Sequence, residues 1–361
     1  MPRGRIRLAE ARFSLIMTIY RSLSSALAAA LCVGLGACTA NPIHSSPSTM
    51  TQQSARATST FCMGRFLIDV PAGSKLSGGN YKYDFVAIEP VKAMTYEEFT
   101  AEMGRLESNL RSTENEKTQQ SMLLQSIQPE NGTRILASWK SEFSTALIRI
   151  SGYRWINGSR FFFEDDVGGS KQEFGMKRMQ EALSRLHPRA DTNIPTDPGF
   201  CFAGGFVANP RWRNEEASLD IDIAGHPDAF VSVWIYPLAS HKHDRPLLDR
   251  MGGMTWFLAN LATSVRVLRK GDRQVGPYAG QEHLASAPGS NGMRGHAFVW
   301  ETQGDGTLDT PAIKIELTTG YHDGKGNQQK TSLTDKEAMK LWDGILDSFR
   351  LRPVAPRVPP A

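Results

Sequence analysis

The sequence predicts an α+β protein built from two tandem, related domains, each a mainly antiparallel sheet with about two packed helices. Three observations lead to this prediction. A short cysteine-containing segment occurs twice, short apolar runs in both halves are joined by turn signals, and amphipathic helical segments follow the strands in each half. The length of 361 residues suits two domains of ordinary size.

The repeated segment is FCMGRFLIDVP at residues 61–71 and FCFAGGFVANP at residues 200–210. Both contain an aromatic residue followed by Cys, then a Gly and a Phe, and a Pro closes each one. Each copy is typical of a tight turn that opens into a short buried strand, with Gly at the bend and Pro at the end. The segments therefore indicate an internal duplication, with convergent strand openings as the alternative.

The first predicted domain covers residues 61–189. A strand is expected over residues 81–90, and hairpins are expected where Asn-Gly pairs separate apolar runs, at 131–132 and 157–158. The segment 94–111 has its apolar residues on one helical face and begins with a capping-box pattern, Thr95 with Glu98. A second helix is expected over residues 173–186, before His187-Pro188 ends the pattern.

Residues 190–199 contain two prolines and predict a short, stiff linker. The second domain, residues 200–353, contains alternating runs that predict antiparallel strands, and residues 354–361 form a tail. Two helices are expected here, over residues 247–268 and 334–350, the latter with Thr334 and Glu337 as a second capping box.

The first 37 residues have the character of a lipoprotein signal peptide. Arginines precede a short apolar run that ends in Leu35-Gly36-Ala37-Cys38, which resembles the bacterial lipobox. Acylation at Cys38 is the expectation; an ordinary signal peptide cut near Ala37 and a buried apolar helix are the alternatives. Met17 would make a more compact signal than Met1 does.

Residues 38–60 are rich in Ser, Thr, Gln and Pro, which predicts a flexible tether because such a composition cannot bury a core. Thr39 follows Cys38 where lipoproteins kept at the inner membrane often carry Asp, so the outer membrane is favoured. The expected location is the periplasm. Without residues 1–37 the chain has 36 basic and 36 acidic residues, which argues against a nucleic-acid surface.

Only Cys62 and Cys201 remain after the signal peptide and the lipid-modified cysteine are set aside, and they occupy equivalent places in the two repeats. In an oxidising periplasm such a pair is expected to be either bridged or buried. Two readings stay open: a disulfide between the repeats, or two independent buried thiols. Metal ligation by two lone cysteines is not expected.

No catalytic pattern stands out. The chain has no Gly-x-Ser-x-Gly and no His-Glu-x-x-His, and His241-Lys242-His243-Asp244 lacks a third placed ligand for a metal. No metal, cofactor or enzymatic activity is therefore predicted. A basic stretch around residues 245–273 is interpreted as a solvated face, with an acidic partner or lipid headgroups as the alternative.

Five motifs spread over both predicted domains are distinctive: FCMGRF (61–66), GFCF (199–202), FVWE (298–301), LWD (341–343) and SFRLRP (348–353). Through them, nearly all of the mature chain resembles the lipoprotein immunity proteins that accompany type VI secretion phospholipase effectors, the Tle cognate immunity protein family of the fourth lipase class. The resemblance implies a membrane-tethered inhibitor whose two domains grip the cognate phospholipase.

Inhibition by binding needs aromatic and arginine anchors in a large complementary surface. The candidates are the turn Arg211-Trp212-Arg213 and the loop that contains His241, His243 and Arg245. Two other hypotheses are a lipid-binding or envelope-assembly lipoprotein, which would need a sizeable apolar cavity, and an enzyme with an unrecognised site.

Overall fold

The computed structural model describes residues 58–236, 245–250, 265–288, 294–305, 307–320 and 331–354. The first half of the chain forms twelve strands and two α-helices, with a 3₁₀ turn at Gly169–Lys171. The strands are β1 Thr58–Met63, β2 Phe66–Pro71, β3 Lys75–Tyr83, β4 Val86–Ile88, β5 Lys92–Ala93, β6 Glu114–Asn115, β7 Gln120–Ser121, β8 Leu123–Ile127, β9 Thr133–Ser141, β10 Ser144–Ile156, β11 Ser159–Gly168 and β12 Leu186–Pro188, and the helices are α1 Tyr96–Ser112 and α2 Gln172–Ser184.

The second half contributes nine strands, one complete α-helix and a helical segment at residues 247–250 to the described part of the chain. These are β13 Gly199–Phe202, β14 Gly205–Ala208, β15 Glu215–Asp222, β16 Ala229–Tyr236, β17 Arg266–Val275, β18 Tyr278–Pro288, β19 Arg294–Thr302, β20 Ala312–Thr319, β21 Arg350–Leu351 and α3 Asp335–Leu346. The predominance of antiparallel strands agrees with the predicted α+β class.

Four predicted elements need correction. The helices expected over residues 173–186 and 334–350 end earlier, at Ser184 and Leu346, because Leu186 already belongs to β12 and Arg350 to β21. The single strand expected over residues 81–90 is a hairpin, because Asp84 and Phe85 both have positive φ and reverse the chain between β3 and β4. The helix expected over residues 247–268 is wrong at its end, since residues 266–268 already belong to β17. Residues 247–250 are helical, and residues 251–264 lie outside the described part.

Two of the helices begin with the capping boxes that the sequence predicts. The backbone N–H of Glu98 donates to the Thr95 hydroxyl at 3.1 Å, and the Thr95 N–H donates to the Glu98 carboxylate at 2.8 Å. Thr334 and Glu337 repeat this arrangement at the start of α3. Each box satisfies backbone donors that have no partner inside the helix, which sets where the helix begins.

In the large sheet, the order in which the strands follow one another from the centre to the edge is equivalent on the two sides. From one side of the centre the order is β3, β4, β11, β10, β9, β8, and from the other it is β15, β16, β20, β19, β18, β17. The central pair, β3 and β15, is antiparallel. Both halves therefore have the same topology, related by a pseudo-two-fold axis between β3 and β15, as a duplication requires.

The opening hairpins are exchanged between the two repeats. The hairpin β1–β2 of the first repeat takes its third strand, β21, from the end of the second repeat. The hairpin β13–β14 of the second repeat takes its third strand, β12, from the end of the first. Each small sheet therefore needs both repeats, so neither repeat completes its own structure.

This exchange is symmetric down to single hydrogen bonds. The backbone N–H of Arg352 donates to the Arg65 carbonyl at 2.8 Å, and the N–H of Arg189 donates to the Gly204 carbonyl at 3.1 Å. Arg65 and Gly204 hold equivalent positions in the two hairpin turns, and Arg189 and Arg352 hold equivalent positions after the exchanged strands. Such agreement in register indicates a duplicated ancestor rather than convergent strand openings.

The two hairpins have diverged by a compensating change of side-chain size. Met63 pairs across the strands with Phe66 in the first hairpin, and Phe202 pairs with Gly205 at the equivalent positions of the second. A Cβ on Gly205 would lie 2.2 Å from the Phe202 ring. Gly205 therefore leaves the space that the larger Phe202 fills, because a packed interior has no room for both side chains.

One hydrophobic core runs through both repeats. Phe66 of the first repeat stacks on Phe349 of the second, with ring centroids 5.2 Å apart. Phe202 of the second repeat packs edge-on against Phe161 and Phe163 of the first. The predicted domains at residues 61–189 and 200–353 thus share a sheet and a core, and this restricts motion between the halves.

Candidate functional site at the junction of the repeats

A buried ion pair lies where the first hairpin meets the second repeat. The Arg65 side chain, in the turn between β1 and β2, donates two hydrogen bonds of 2.8 and 2.6 Å to the Glu215 carboxylate at the start of β15. Its remaining donors reach the carbonyls of Asn209 and Arg211 at 3.1 and 2.7 Å. All four of these hydrogen bonds go to residues of the second repeat, so the guanidinium ties the first hairpin to it.

Burial controls the electrostatics of this pair. Desolvation raises the pKa of Glu215, and the hydrogen bonds and charge of Arg65 oppose that rise. Tyr83, which accepts a hydrogen bond from the side chain of Asn209, also has its pKa raised by burial. The groups around Arg65 thus form a dry polar cluster that fixes the segment 209–215 against the first repeat.

The predicted anchor Arg211-Trp212-Arg213 wraps around this cluster. The Trp212 ring lies under the Arg65 guanidinium at 4.7 Å and meets the edge of Phe66 at 6.2 Å, so it is partly buried. The backbone N–H of Arg213 donates to Glu215. Arg211 is exposed, and in the described part of the chain only its backbone atoms take part in hydrogen bonds.

The second predicted anchor is only partly visible. Arg245 is exposed just before the helical residues 247–250. His241 and His243 lie outside the described residues, as does the predicted lipidation site Cys38. The structure therefore brings Arg211, Trp212 and Arg213 together around the junction and leaves the remaining candidates as predictions.

Cys62 and Cys201 form a disulfide in the structure, with their Cα atoms 5.8 Å apart. The residues beside them are paired as well, because the backbones of Gly64 and Cys201 exchange two hydrogen bonds of 2.8 Å. Of the two readings left open by the sequence, the structure contains the bridge. It joins the two opening hairpins at their point of closest approach.

Two arginines hold the linker in place. Arg189 donates to the carbonyls of Cys62 and Phe202 at 3.1 and 3.0 Å and to that of Asp191 in the linker at 2.9 Å. Its symmetry equivalent, Arg352, donates to the carbonyls of Pro195, Asp197 and Gly199. Burial lowers the pKa of Arg352 to about 10. Both guanidiniums thus replace water as partners of linker carbonyls.

The described part of the chain offers two small pockets near the junction. One lies beside Arg65 and Trp212, the other beside Tyr83 and Arg178, and each has a volume of about 10 Å³. A cavity of this size holds about one water molecule, whereas ligand pockets span about 300–1,000 Å³. Neither pocket can hold a lipid chain or a substrate.

Two further structural findings concern the same residues. No helix among them is long and apolar enough to cross a membrane. Across residues 58–354, gaps excepted, no three His, Cys, Asp or Glu side chains come together in a metal-binding arrangement.

Sequence reasoning missed the Arg65–Glu215 pair because 150 residues separate its members. The repeat itself carried a usable signal. Arg65 is the one charged residue in the first turn, and the second repeat has Gly204 at the equivalent position. A charged residue present in only one copy of a duplicated turn indicates an interaction that the other copy does not make.

The fold and the junction define a class of protein: a duplicated antiparallel scaffold whose two repeats are interlocked by strand exchange and closed by a disulfide. The N-terminal and C-terminal domain models of Tle cognate immunity protein 4 match residues 59–189 and 193–354. The chain belongs to the Tle cognate immunity protein 4 family. No curated protein sequence matches it significantly.

Solved structures agree with this assignment. The chain is similar to the immunity protein TplEi of the T6SS from Pseudomonas aeruginosa in its apo form, with 27% identity and a TM-score of 0.72 over 82% of this chain and 98% of that one. The same identity and coverage, with a TM-score of 0.73, relate it to a chain of the Tle4–Tli4 complex. A third similar structure is TplEi bound to an "L" peptide, with a TM-score of 0.67.

Proposed function

We propose that this chain is an immunity protein that binds and inhibits a phospholipase effector of the type VI secretion system. The observation that carries the proposal is the similarity to a structure titled the Tle4–Tli4 complex, which extends over 98% of the matched chain. Both family domains are present in order. The partner that this similarity supports best is an effector protein related to Tle4.

The proposed mechanism is occupation of the effector's surface, without a reaction by the immunity protein. A stable complex of this kind buries about 1,200–2,000 Å² of total surface and gains most from anchors that are already held in position. The strand exchange, the disulfide and the two clamped arginines supply such rigidity here. A scaffold that loses little conformational freedom on binding retains more of its contact energy as affinity.

We further propose that the protein acts in the periplasm, tethered through a lipid on Cys38 and most simply to the outer membrane. The support is in the sequence: the lipobox-like ending of residues 35–38, the polar tether of residues 38–60 and Thr39 after the acylated cysteine. A bridged pair, Cys62 with Cys201, fits an oxidising compartment.

The inhibition is tested with a Tle4-class phospholipase and the full chain. Cells that export the phospholipase to their own periplasm should lyse, and co-production of the full chain should restore growth. The purified pair should co-elute at a fixed stoichiometry with loss of phospholipase activity. A lipase of a different class serves as the control and should stay active. Undiminished Tle4-class activity under a molar excess of the chain would refute the proposal.

The tether is tested with Cys38→Ser. The wild-type chain should incorporate labelled palmitate and sediment with the outer membrane, whereas the variant should do neither, because the serine hydroxyl is not acylated by this route. Ser45→Ala, in the same polar tether, is the matched control and should behave as wild type. Equal membrane attachment of wild type and C38S would exclude the lipid anchor.

A further inference from the structure

An exposed phenylalanine occupies a strained turn near the junction. Phe85 is the second central residue of the two-residue turn between β3 and β4, has φ of +72° and is 58% exposed. Turns of this shape favour Asn-Gly or Asp-Gly, because a bulky side chain is disfavoured at positive φ. The chain places Asp-Phe there, so the ring is kept at a cost in conformational energy.

A second exposed phenylalanine contacts the same arginine as Phe85 does. Phe174, near the start of α2, is 61% exposed. Arg178 follows one helical turn later, and its guanidinium carbon lies 5.2 Å from the Phe174 ring centroid and 5.7 Å from that of Phe85. We call Phe85, Phe174 and Arg178 the aromatic clamp.

The Arg178 guanidinium is fixed by an ion pair with a buried carboxylate. Arg178 donates a hydrogen bond to the buried carboxylate of Asp165 on β11. An arginine fixed at one edge and flanked by two rings loses little freedom when a partner covers it. The clamp thus combines two exposed aromatic rings with a pre-positioned arginine, the residue types that dominate binding energy in protein interfaces.

The clamp continues into the surface that contains the predicted anchor. The small pocket beside it is lined by Asp84, Arg178, Glu181 and Arg185 of the first repeat together with Arg213, which belongs to the predicted anchor. Arg211, with its exposed guanidinium, follows the pocket residue Asn209 by two positions. This surface thus combines exposed aromatic rings with several arginines, residue types that are enriched in protein interfaces.

We propose that the aromatic clamp is a contact site for the phospholipase effector, receiving an apolar segment of the effector on the exposed faces of Phe85 and Phe174 while the neighbouring arginines meet acidic side chains. This inference rests on the proposed function and names the surface that performs it. The exposed rings supply apolar area, and Arg211, whose side chain has no ion pair within the described part of the chain, supplies a charge for an acidic neighbour.

The charge balance favours a protein over a bilayer as the occupant. Among the side chains named around the clamp, Arg178, Arg185, Arg211 and Arg213 stand against Asp84, Asp165 and Glu181, a net charge of about one for this set, and Arg178 and Arg185 are paired with Asp165 and Glu181. Attraction to an anionic membrane amounts to about 1 kcal/mol for each basic residue near it and needs several unpaired ones. Paired arginines around exposed rings suit an interface with a complementary polar rim instead.

The test uses Phe85→Gly in the full chain, extracted in mild detergent and immobilised, with the effector titrated over it. We expect the Kd for the effector to rise at least tenfold, because a central aromatic anchor is lost. We also expect the thermal midpoint of the variant to stay at least as high as that of wild type, since glycine relieves the strain at φ +72°. A merely structural role of the ring would instead lower the midpoint.

Two further variants complete the experiment. Phe174→Ala removes the other ring and should weaken binding to a similar extent. Tyr96→Ala is the matched control, since Tyr96 is also exposed and also contacts a second ring, that of Trp155. It lies away from the clamp: Trp155 pairs with Arg160 on β11, whereas the clamp residue Arg178 contacts Asp165, five residues and about 17 Å further along that strand. This control should bind as wild type does.

The outcomes separate the inference from the proposed function. If wild type fails to bind the effector, the proposed function fails. If wild type binds and F85G and F174A bind equally well, only the aromatic clamp fails. Flotation of the Cys38→Ser chain with anionic vesicles, lost in F85G while effector binding is kept, would assign the clamp to a membrane surface and overturn the inference.

Discussion

Replacing Glu215 with alanine is expected to lower the free energy of unfolding by about 3–5 kcal/mol, because the substitution leaves a buried guanidinium without its counter-charge. Arg65 is 7% exposed, so its guanidinium has little access to water in its present position. The variant must either keep an uncompensated charge in the core or release the turn between β1 and β2. Chemical unfolding monitored by tryptophan fluorescence measures the loss.

The neighbouring Glu216 supplies a matched control. Its carboxylate accepts a hydrogen bond of 2.8 Å from Lys82, but the two side chains are 33% and 48% exposed. An ion pair in contact with water contributes about 0–1 kcal/mol, so Glu216→Ala should leave stability nearly unchanged. The contrast between adjacent carboxylates on one strand isolates the effect of burial from that of charge.

A double substitution separates the charge from the packing. Arg65→Met combined with Glu215→Leu removes both charges and should recover part of the stability lost in Glu215→Ala, since burying apolar groups in place of an ion pair is often neutral. The recovery stays incomplete because the carbonyls of Asn209 and Arg211 lose their donor. Equal losses in E215A and E216A would contradict the assignment of Glu215 as a buried partner.

Removing the disulfide with Cys62→Ala and Cys201→Ala together is expected to lower the unfolding free energy by about 2–5 kcal/mol. The bridge joins residues 139 positions apart. The chain-entropy model for a loop of this length gives about 5 kcal/mol, and strain or residual structure in the unfolded chain reduces that figure. Both substituted positions lie in a small buried apolar cluster with Leu67 and Phe206, where alanine side chains are compatible with the surroundings.

The disulfide prediction has its own control. Reductant should destabilise the wild-type chain by the same amount as the double variant and should have no effect on the double variant itself. Because the Gly64–Cys201 backbone hydrogen bonds and both exchanged strands remain, the double variant should still fold at room temperature. A reductant-insensitive wild type would mean that the two cysteines are not bridged in solution.

The sequence was informative wherever the determining interaction is local. Capping boxes at Thr95 and Thr334 are set by residues three apart, and Asn-Gly pairs at 131–132 and 157–158 set their turns without help from the rest of the chain. The repeated segments at 61–71 and 200–210 also needed no structure, because a duplication is visible in the chain itself. The α+β class followed from these signals.

The turn at Asp84-Phe85 shows where local reasoning failed. Residues 81–90 alternate like one strand, and Phe is a poor residue for positive φ, so no local rule predicts a reversal there. The neighbouring strands decide it: β3 pairs with β15 and β4 pairs with β11, and the chain must turn between them. The aromatic clamp was invisible for the same reason.

The sequence by itself determined the class, the duplication, the family resemblance and the positions of the cysteines, since each depends on residues close in the chain or on identity between two segments. Only the tertiary structure decided that the hairpins exchange strands, that Arg65 reaches Glu215, and that Phe85 and Phe174 flank Arg178. Most of these contacts join residues far apart in the chain, as the Arg65–Glu215 pair, 150 positions apart, illustrates. The long-range pairings form because the shared core brings the two repeats together, and no short window of sequence contains that information.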